Sequence, residues 1–178
     1  MKMMKVMTTA IAAGICAVCL GENVLKNPGF ETVNENRIAA VWSGKHETVE
    51  ENGSNALKFK TIARYGRFEN DTSQEVEKVP GGNYILTGKV KGNMVAVTAV
   101  CRFTPPEGKA IVGVISIPKA QMRQDKDGWL SFTGKFKGPA AGSYKLFFDI
   151  CAQVEKADDV ALLDDLSLSP EQTSEKGK

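Results

Sequence analysis

The sequence predicts an all-β domain built as a two-sheet antiparallel β-sandwich, and three observations point there. Nearly every segment after residue 21 is a short run rich in β-branched and aromatic residues; Gly, Pro, Asn or Asp break the runs at regular intervals; and no stretch keeps a helical period. Many short strands separated by turn signals are the pattern of a sandwich or barrel.

In chain order the strands are expected at 24–31, 41–49, 56–62, 74–79, 84–91, 94–103, 110–117, 129–136, 143–151 and 160–169. The turns between them are marked by Glu51-Asn52-Gly53-Ser54, Pro80-Gly81-Gly82-Asn83, Lys91-Gly92-Asn93, Pro105-Pro106-Glu107-Gly108, Asp125-Lys126-Asp127-Gly128 and Lys137-Gly138-Pro139. Alternation separates core from solvent within the strands. Tyr84, Leu86 and Val90 oppose Thr87, Lys89 and Lys91, and Leu130, Phe132 and Phe136 oppose Ser131, Thr133 and Lys135. One face is dry and one wet, as a sandwich requires. The first and last strands each hold a carboxylate, Glu31 and Asp164, among apolar neighbours. A carboxylate there is costly unless a cation or donors compensate it, and a shared metal ion is an economical explanation.

Residues 1–21 read as a secretory signal, with Lys2 and Lys5 before an apolar run that ends in small residues. The run is too short and poorly flanked for a stable membrane span. Cleavage fits after Gly21 or after Cys19. Cys16 and Cys19 also stand where a lipid-modified cysteine would, but Ile15 and Val18 are bulky where a lipoprotein signal wants a small residue. Export to the extracellular space, the periplasm or the cell surface is the expectation. Loss of Lys2 and Lys5 takes the 23 basic residues to 21, equal to the 21 acids. A near-neutral chain without a Lys/Arg cluster lacks the footprint of a nucleic-acid binder. About 157 residues remain, enough for one domain. That domain is expected over 22–169, and the tail 170–178, without an apolar anchor, is expected to be disordered.

Cys101 and Cys151 are left after cleavage. An oxidising compartment invites a disulfide, but Cys101 shares the apolar parity of its strand whereas Cys151 lies opposite Tyr144, Leu146, Phe148 and Ile150 in its own. Residues on opposite faces cannot reach the short Cβ separation without a bulge. A bridge and two separately buried thiols both stay open.

The opening Asn27-Pro28-Gly29-Phe30-Glu31 and the closing Asp164-Asp165-Leu166-Ser167-Leu168 resemble the carbohydrate-binding-module jelly rolls of the galactose-binding-like superfamily, of the cellulase C type. Further pieces match in order: Trp42, Gly53-Ser54-Asn55-Ala56-Leu57-Lys58-Phe59, Gln74-Glu75-Val76, Pro80-Gly81, Tyr84-Ile85-Leu86, and Gly128-Trp129 with Phe132 and Phe136. The resemblance implies a jelly roll, one of whose outer faces is concave, and a structural calcium ion held by Glu31, Asp164, Asn52 and Asn55, the last through its carbonyl. Two carboxylates with carbonyl and amide oxygens suit calcium. Asn52 departs from relatives that place an acid there. The alternative is that Glu31 and Asp164 accept hydrogen bonds from backbone amides and bind no metal.

Such modules lay sugar rings on aromatic side chains flanked by hydrogen-bonding groups. The candidate ligand set is Tyr65, Arg67, Trp129, Phe147, Asp149 and Gln153, with Phe147, Asp149 and Gln153 sharing the outward parity of one strand. Aromatics are only 7% of the chain, and a solvated face is the bland alternative. An enzyme is not expected. His46 is the only histidine, no nucleophile elbow, H-E-x-x-H or P-loop pattern occurs, and adjacent Asp164 and Asp165 point to opposite faces and cannot flank one glycosidic bond. Two functions remain in competition: a secreted, non-catalytic module that binds a polysaccharide or glycan, and a sandwich of the same fold that binds a surface protein partner without sugar affinity.

Overall fold

The computed structural model describes residues 21–44, 46–60 and 72–172. Its strands are β1 (Glu47–Glu51), β2 (Ser54–Phe59), β3 (Ser73–Pro80), β4 (Tyr84–Gly92), β5 (Met94–Thr104), β6 (Ile111–Pro118), β7 (Arg123–Gln124), β8 (Leu130–Phe136), β9 (Ser143–Val154) and β10 (Ala161–Pro170). A 3₁₀ turn, Lys119–Gln121, joins β6 to β7. Six strands in the order β1-β2-β10-β4-β8-β7 form one sheet, and β3-β9-β5-β6 form the other. All the pairings are antiparallel. The fold is the antiparallel two-sheet sandwich that the alternation implies.

The core lies between the sheets. Leu146, Phe148, Ile150, Ala152 and Val154 of β9 and Val97, Ala99, Cys101 and Phe103 of β5 point into it from one side, and Tyr84, Leu86 and Val90 of β4 with Leu163, Leu166 and Leu168 of β10 from the other. At one end Phe30, Trp42 and Phe148 pack ring to ring, at 5.4 and 6.3 Å between centroids. Gly92 makes the β4–β5 turn possible: its φ is +109°, and a Cβ there would collide with the Val160 carbonyl.

Two expected strands are corrected. Residues 24–31 do not form a regular strand, because Asn27 and Phe30 take positive φ (47° and 57°). The segment is held instead by single bonds to β10, Val24 N–H to Leu168 O at 2.9 Å and Leu166 N–H to Pro28 O at 3.0 Å. Side-chain amides complete the work. Asn23 clamps β10 by donating to Leu166 O and accepting from Leu168 N–H, and Gln74 of β3 grips both backbone groups of Lys26, at 2.7 and 2.9 Å. Each amide imitates a strand neighbour. Asn27 likewise binds Thr32 N–H and the Thr32 and Ala40 carbonyls, while its own carbonyl receives the Trp42 indole N–H.

The strand expected at 41–49 begins only at Glu47. Val41 has φ 64° and is exposed in a turn, and Ser43 forms an isolated bridge with Ser73. The third expected strand is regular to Phe59; residues 61 and 62 lie outside the described residues. The two-residue β7 was not anticipated, being too short to show a period. The domain boundary expected after Ser169 also moves. Pro170 completes β10, and Glu171 is fixed by its N–H on Asn83 O and by an ion pair with Lys135 at 2.7 Å. Residues 1–20 and 173–178, which hold most of the expected signal and tail, lie outside the described residues.

Cys101 and Cys151 are buried and form no disulfide with each other. Cys101 sits opposite Phe148 and Cys151 opposite Thr98 in the β5–β9 ladder, three residues apart and on opposite faces. No bulge intervenes to bring them together.

Candidate functional site

Two regions gather the residues singled out by sequence. The first is the outer face of the four-stranded sheet. Because Leu146, Phe148, Ile150 and Ala152 point inward, Phe147, Asp149, Cys151 and Gln153 point outward. The ladders set them in rows across the sheet: Glu75, Phe147, Arg102 and Val112; then Ser73, Asp149, Val100 and Val114; then Cys151, Thr98 and Ser116; then Gln153, Ala96 and Pro118. The Arg102 guanidinium carbon lies 5.5 Å from the centre of the partly buried Phe147 ring, and the buried Thr98 donates to Ser116 at 3.3 Å. Asp149 and Cys151 are nearly covered although their parity is outward, whereas Arg102, Val112, Val114 and Ser116 are open. Phe147 and Asp149 are therefore neighbours. Gln153 shares their face but stands about 20 Å along the strand from Phe147.

The second region lies where the segment before β1 meets β2 and the β10 bulge. Between Asp164 and Ser167 the ladder slips, with Asp165 at φ 51°, so the two acids part. Asp165 goes outward to Lys89 at 2.7 Å. Asp164 turns inward and is only 6% exposed. The Ser54 hydroxyl lies 2.6 Å from Glu31 Oε1 and 3.3 Å from Asp164 Oδ2. One hydroxyl proton can serve only one of these carboxylates at a time. Asn55 supports Glu31 through its backbone N–H and its side-chain amide, at 3.3 and 3.4 Å, while its Oδ1 accepts from Arg37. Asp164 Oδ1 accepts from the Asp165 N–H at 2.7 Å.

Among the described residues no basic side chain pairs with Glu31 or Asp164. Burial is the main reason that the Asp164 carboxyl is pushed up to about 6, and the negative charges of Asp165 and Glu31 add to it. Asn52, at the tip of the β1–β2 hairpin with φ 55°, lines a cleft of about 550 Å³ beside Asp164. The Glu31 and Asp164 carboxylates and the Ser54 hydroxyl are hard oxygen groups of the kind calcium takes. Among the described residues no group of three or more His, Cys, Asp or Glu converges. As arranged, the Asn55 side chain offers nitrogen to the cluster. Ser54 is the central residue that sequence reasoning passed over: Asn52 and Asn55 on either side were named as ligands, and Ser54 was read only as part of the turn and of the strand after it.

The candidate ligand set does not form one site. Trp129 precedes β8 in the other sheet and lines the same cleft as Asn52 and Asp164, with the Lys91 ammonium 5.9 Å from its ring centre. It belongs with the acidic corner and apart from Phe147. Tyr65 and Arg67 lie outside the described residues. His46 is buried, with neither ring nitrogen hydrogen-bonded.

No family model and no curated protein matches the chain in sequence. Solved structures do match. The CBM22-1 xylan-binding domain from Paenibacillus barcinonensis Xyn10C aligns over 86% of this chain and 97% of its own, at 15% identity and a TM-score of 0.53. TmCBM61, solved in complex with β-1,4-galactotriose, aligns over 83% of this chain and 98% of its own, at 21% identity and a TM-score of 0.45. CsCBM6-3 from Clostridium stercorarium, solved in complex with cellobiose, aligns over 72% of this chain and 86% of its own, at 16% identity and a TM-score of 0.41. The likeness to the first of these is one of fold. The chain has the jelly-roll sandwich of the carbohydrate-binding modules.

Proposed function

We propose that the chain is an exported, non-catalytic module that binds a glycan on the outer face of its four-stranded sheet, around Phe147 and Arg102. The observation that carries this reading is the pairing of a partly buried ring with an open guanidinium on the two inner strands of that face. A pyranose presents an apolar C–H face and a rim of hydroxyls. Phe147 supplies a surface for the first, and the exposed Arg102 and Ser116 supply donors and acceptors for the second. The fold supports the reading because the xylan-binding domain named above has the same architecture, although fold alone does not fix function. The reading predicts retardation of the protein in gels cast with a soluble polysaccharide from a panel of xylans, galactans and β-glucans. Phe147→Ala should abolish it without changing the melting temperature. Retardation by none of the panel, or retardation indifferent to Phe147→Ala, would refute the site.

We further propose that the acidic corner holds a structural calcium ion. Glu31 and Asp164 would be its carboxylates, with Asn52, Ser54 and the Asn55 carbonyl as neutral oxygens. What supports this is two carboxylates sharing one hydroxyl without a countercharge. Bound there, the ion would join the segment before β1 to β10. Calcium should raise the melting temperature of the wild type, and not that of Glu31→Ala.

A further inference from the structure

The two edges of the four-stranded sheet are treated differently. Beyond β3, Ser43 bridges to Ser73 through two bonds of 2.8 Å and the Gln74 amide grips Lys26, so that edge is occupied. Beyond β6 the structure shows no comparable cover among the described residues. Among the described residues, three of the four exposed large aliphatic side chains lie on β6: Ile111 is 43% exposed and Val112 and Val114 are each 54% exposed. No charged residue occurs from Ala110 to Pro118. Edge strands of this length ordinarily carry a lysine, an inward charge or a bulge that discourages pairing, and β6 has none of these before its terminal proline.

We propose that β6 is a self-association edge, at which two copies pair antiparallel about a two-fold axis through Gly113. The choice of a second copy rests on the strand's own symmetry. Ile111-Val112-Gly113-Val114-Ile115 reads the same in both directions, so an antiparallel pair centred on Gly113 sets Ile111 opposite the partner's Ile115 and Val112 opposite the partner's Val114. The exposed valines then cover one another on one face, as an isologous contact requires. The same register brings exposed Glu107, in the turn before the strand, to the partner's Lys119, just after it. Lys109 falls opposite the partner's Ile117. An acidic end meets a basic end twice in the dimer.

The pairing would join two four-stranded sheets into a continuous eight-stranded one and leave both Phe147 faces on the same surface. Five strand spacings separate them, about 24 Å. If that face binds glycan, as proposed above, two sites on one rigid surface would gain avidity for a long polymer. The dimer itself does not depend on that reading.

Sedimentation velocity of the full chain tests the proposal without any glycan. A contact confined to one strand edge belongs to the small interface class, below about 1,200 Å², so a reversible dimer in the range of roughly 1–100 μM is expected. Val114→Lys should weaken it at least tenfold while leaving the melting temperature of the monomer unchanged, since Val114 is exposed; Val112→Lys, on the same open face, is the second variant. Glu107→Lys and Lys119→Glu should each weaken the dimer and together restore it. A protein that stays monomeric across that range overturns the proposal. So does a dimer indifferent to both lysine variants, or one in which the charge exchange is not rescued.

Discussion

Replacing Asp164 with Asn tests the energetic logic of the acidic corner directly. In the metal-free fold this carboxyl is pushed up to about 6 from an ordinary 3.8. The folded chain therefore binds the proton more tightly than the unfolded chain does. Below about pH 3.8 the group is neutral in both states and carries no penalty; as pH rises through 6 the folded state must hold a buried charge, and stability is lost. Two pH units at 1.36 kcal/mol each set the penalty at about 3 kcal/mol above pH 7. Asn keeps an oxygen for the Asp165 N–H and can donate to Ser54, so Asp164→Asn should remove the charge with little loss of hydrogen bonding. In chelator at pH 7.5 the variant should be more stable than the wild type by up to about 3 kcal/mol, or roughly 6–10 °C in melting temperature for a chain of this size. At pH 4.5 the difference should shrink to under about 1 kcal/mol. Urea or thermal melts at the two pH values measure it. A variant less stable than the wild type in chelator at pH 7.5 would refute the burial penalty. Calcium should reverse the order, because an ion between Glu31 and Asp164 converts the penalty into attraction.

Three other measurements bear on different parts of the fold. His46 is buried with both ring nitrogens unpaired and its pKa lowered by burial, so the unfolded chain takes up the proton first and stability falls as pH drops through 6.5. His46→Leu should flatten that acid limb and raise stability near pH 7 by about 1 kcal/mol in urea titration. Gln74→Ala, which releases both backbone groups of Lys26, should cost about 2 kcal/mol in the same assay. Cys101 and Cys151 should resist thiol reagents in the native protein and react in denaturant, and reductant should leave the melting temperature unchanged, since both are buried and unbridged.

The regular strands from β3 onward were legible because each carries several turns of a period-2 pattern between strong turn signals. Tyr84, Leu86 and Val90 announce the inner face of β4 unaided. The first third was harder to read. Residues 24–31 look strand-like in composition, but their backbone groups are satisfied in part by the side-chain amides of Asn23 and Gln74 and by the indole of Trp42, and Val41 leaves the strand conformation at φ 64°. Such contacts depend on positive φ at Asn27 and Phe30, which no periodicity reveals. The acidic corner was partly legible. Glu31 and Asp164 stood out as carboxylates among apolar residues, while Ser54 carried no such contrast. Trp129 was grouped with Phe147 because both are aromatic, and only the strand order separates them: one precedes β8 in the six-stranded sheet and the other lies in β9.

That separation has a consequence for how calcium and glycan relate. The segment carrying Asn23 to Glu31 is fastened to β10 by the Asn23 clamp and the Glu31–Ser54–Asp164 cluster, and to β3 by Gln74. It is a strap across one end of the sandwich, so an ion at the corner would resist the parting of the two sheets. The outer face around Phe147 and Arg102 takes no part in the strap; its geometry is set by the β5–β9 and β5–β6 ladders. Ion and glycan would then act on different properties of one domain. Chelation should lower the melting temperature while leaving affinity for a retarding polysaccharide unchanged at temperatures where the protein stays folded. A loss of affinity in parallel with chelation, well below the transition, would mean that the glycan sits at the Trp129 cleft beside Asp164 instead of on the Phe147 face.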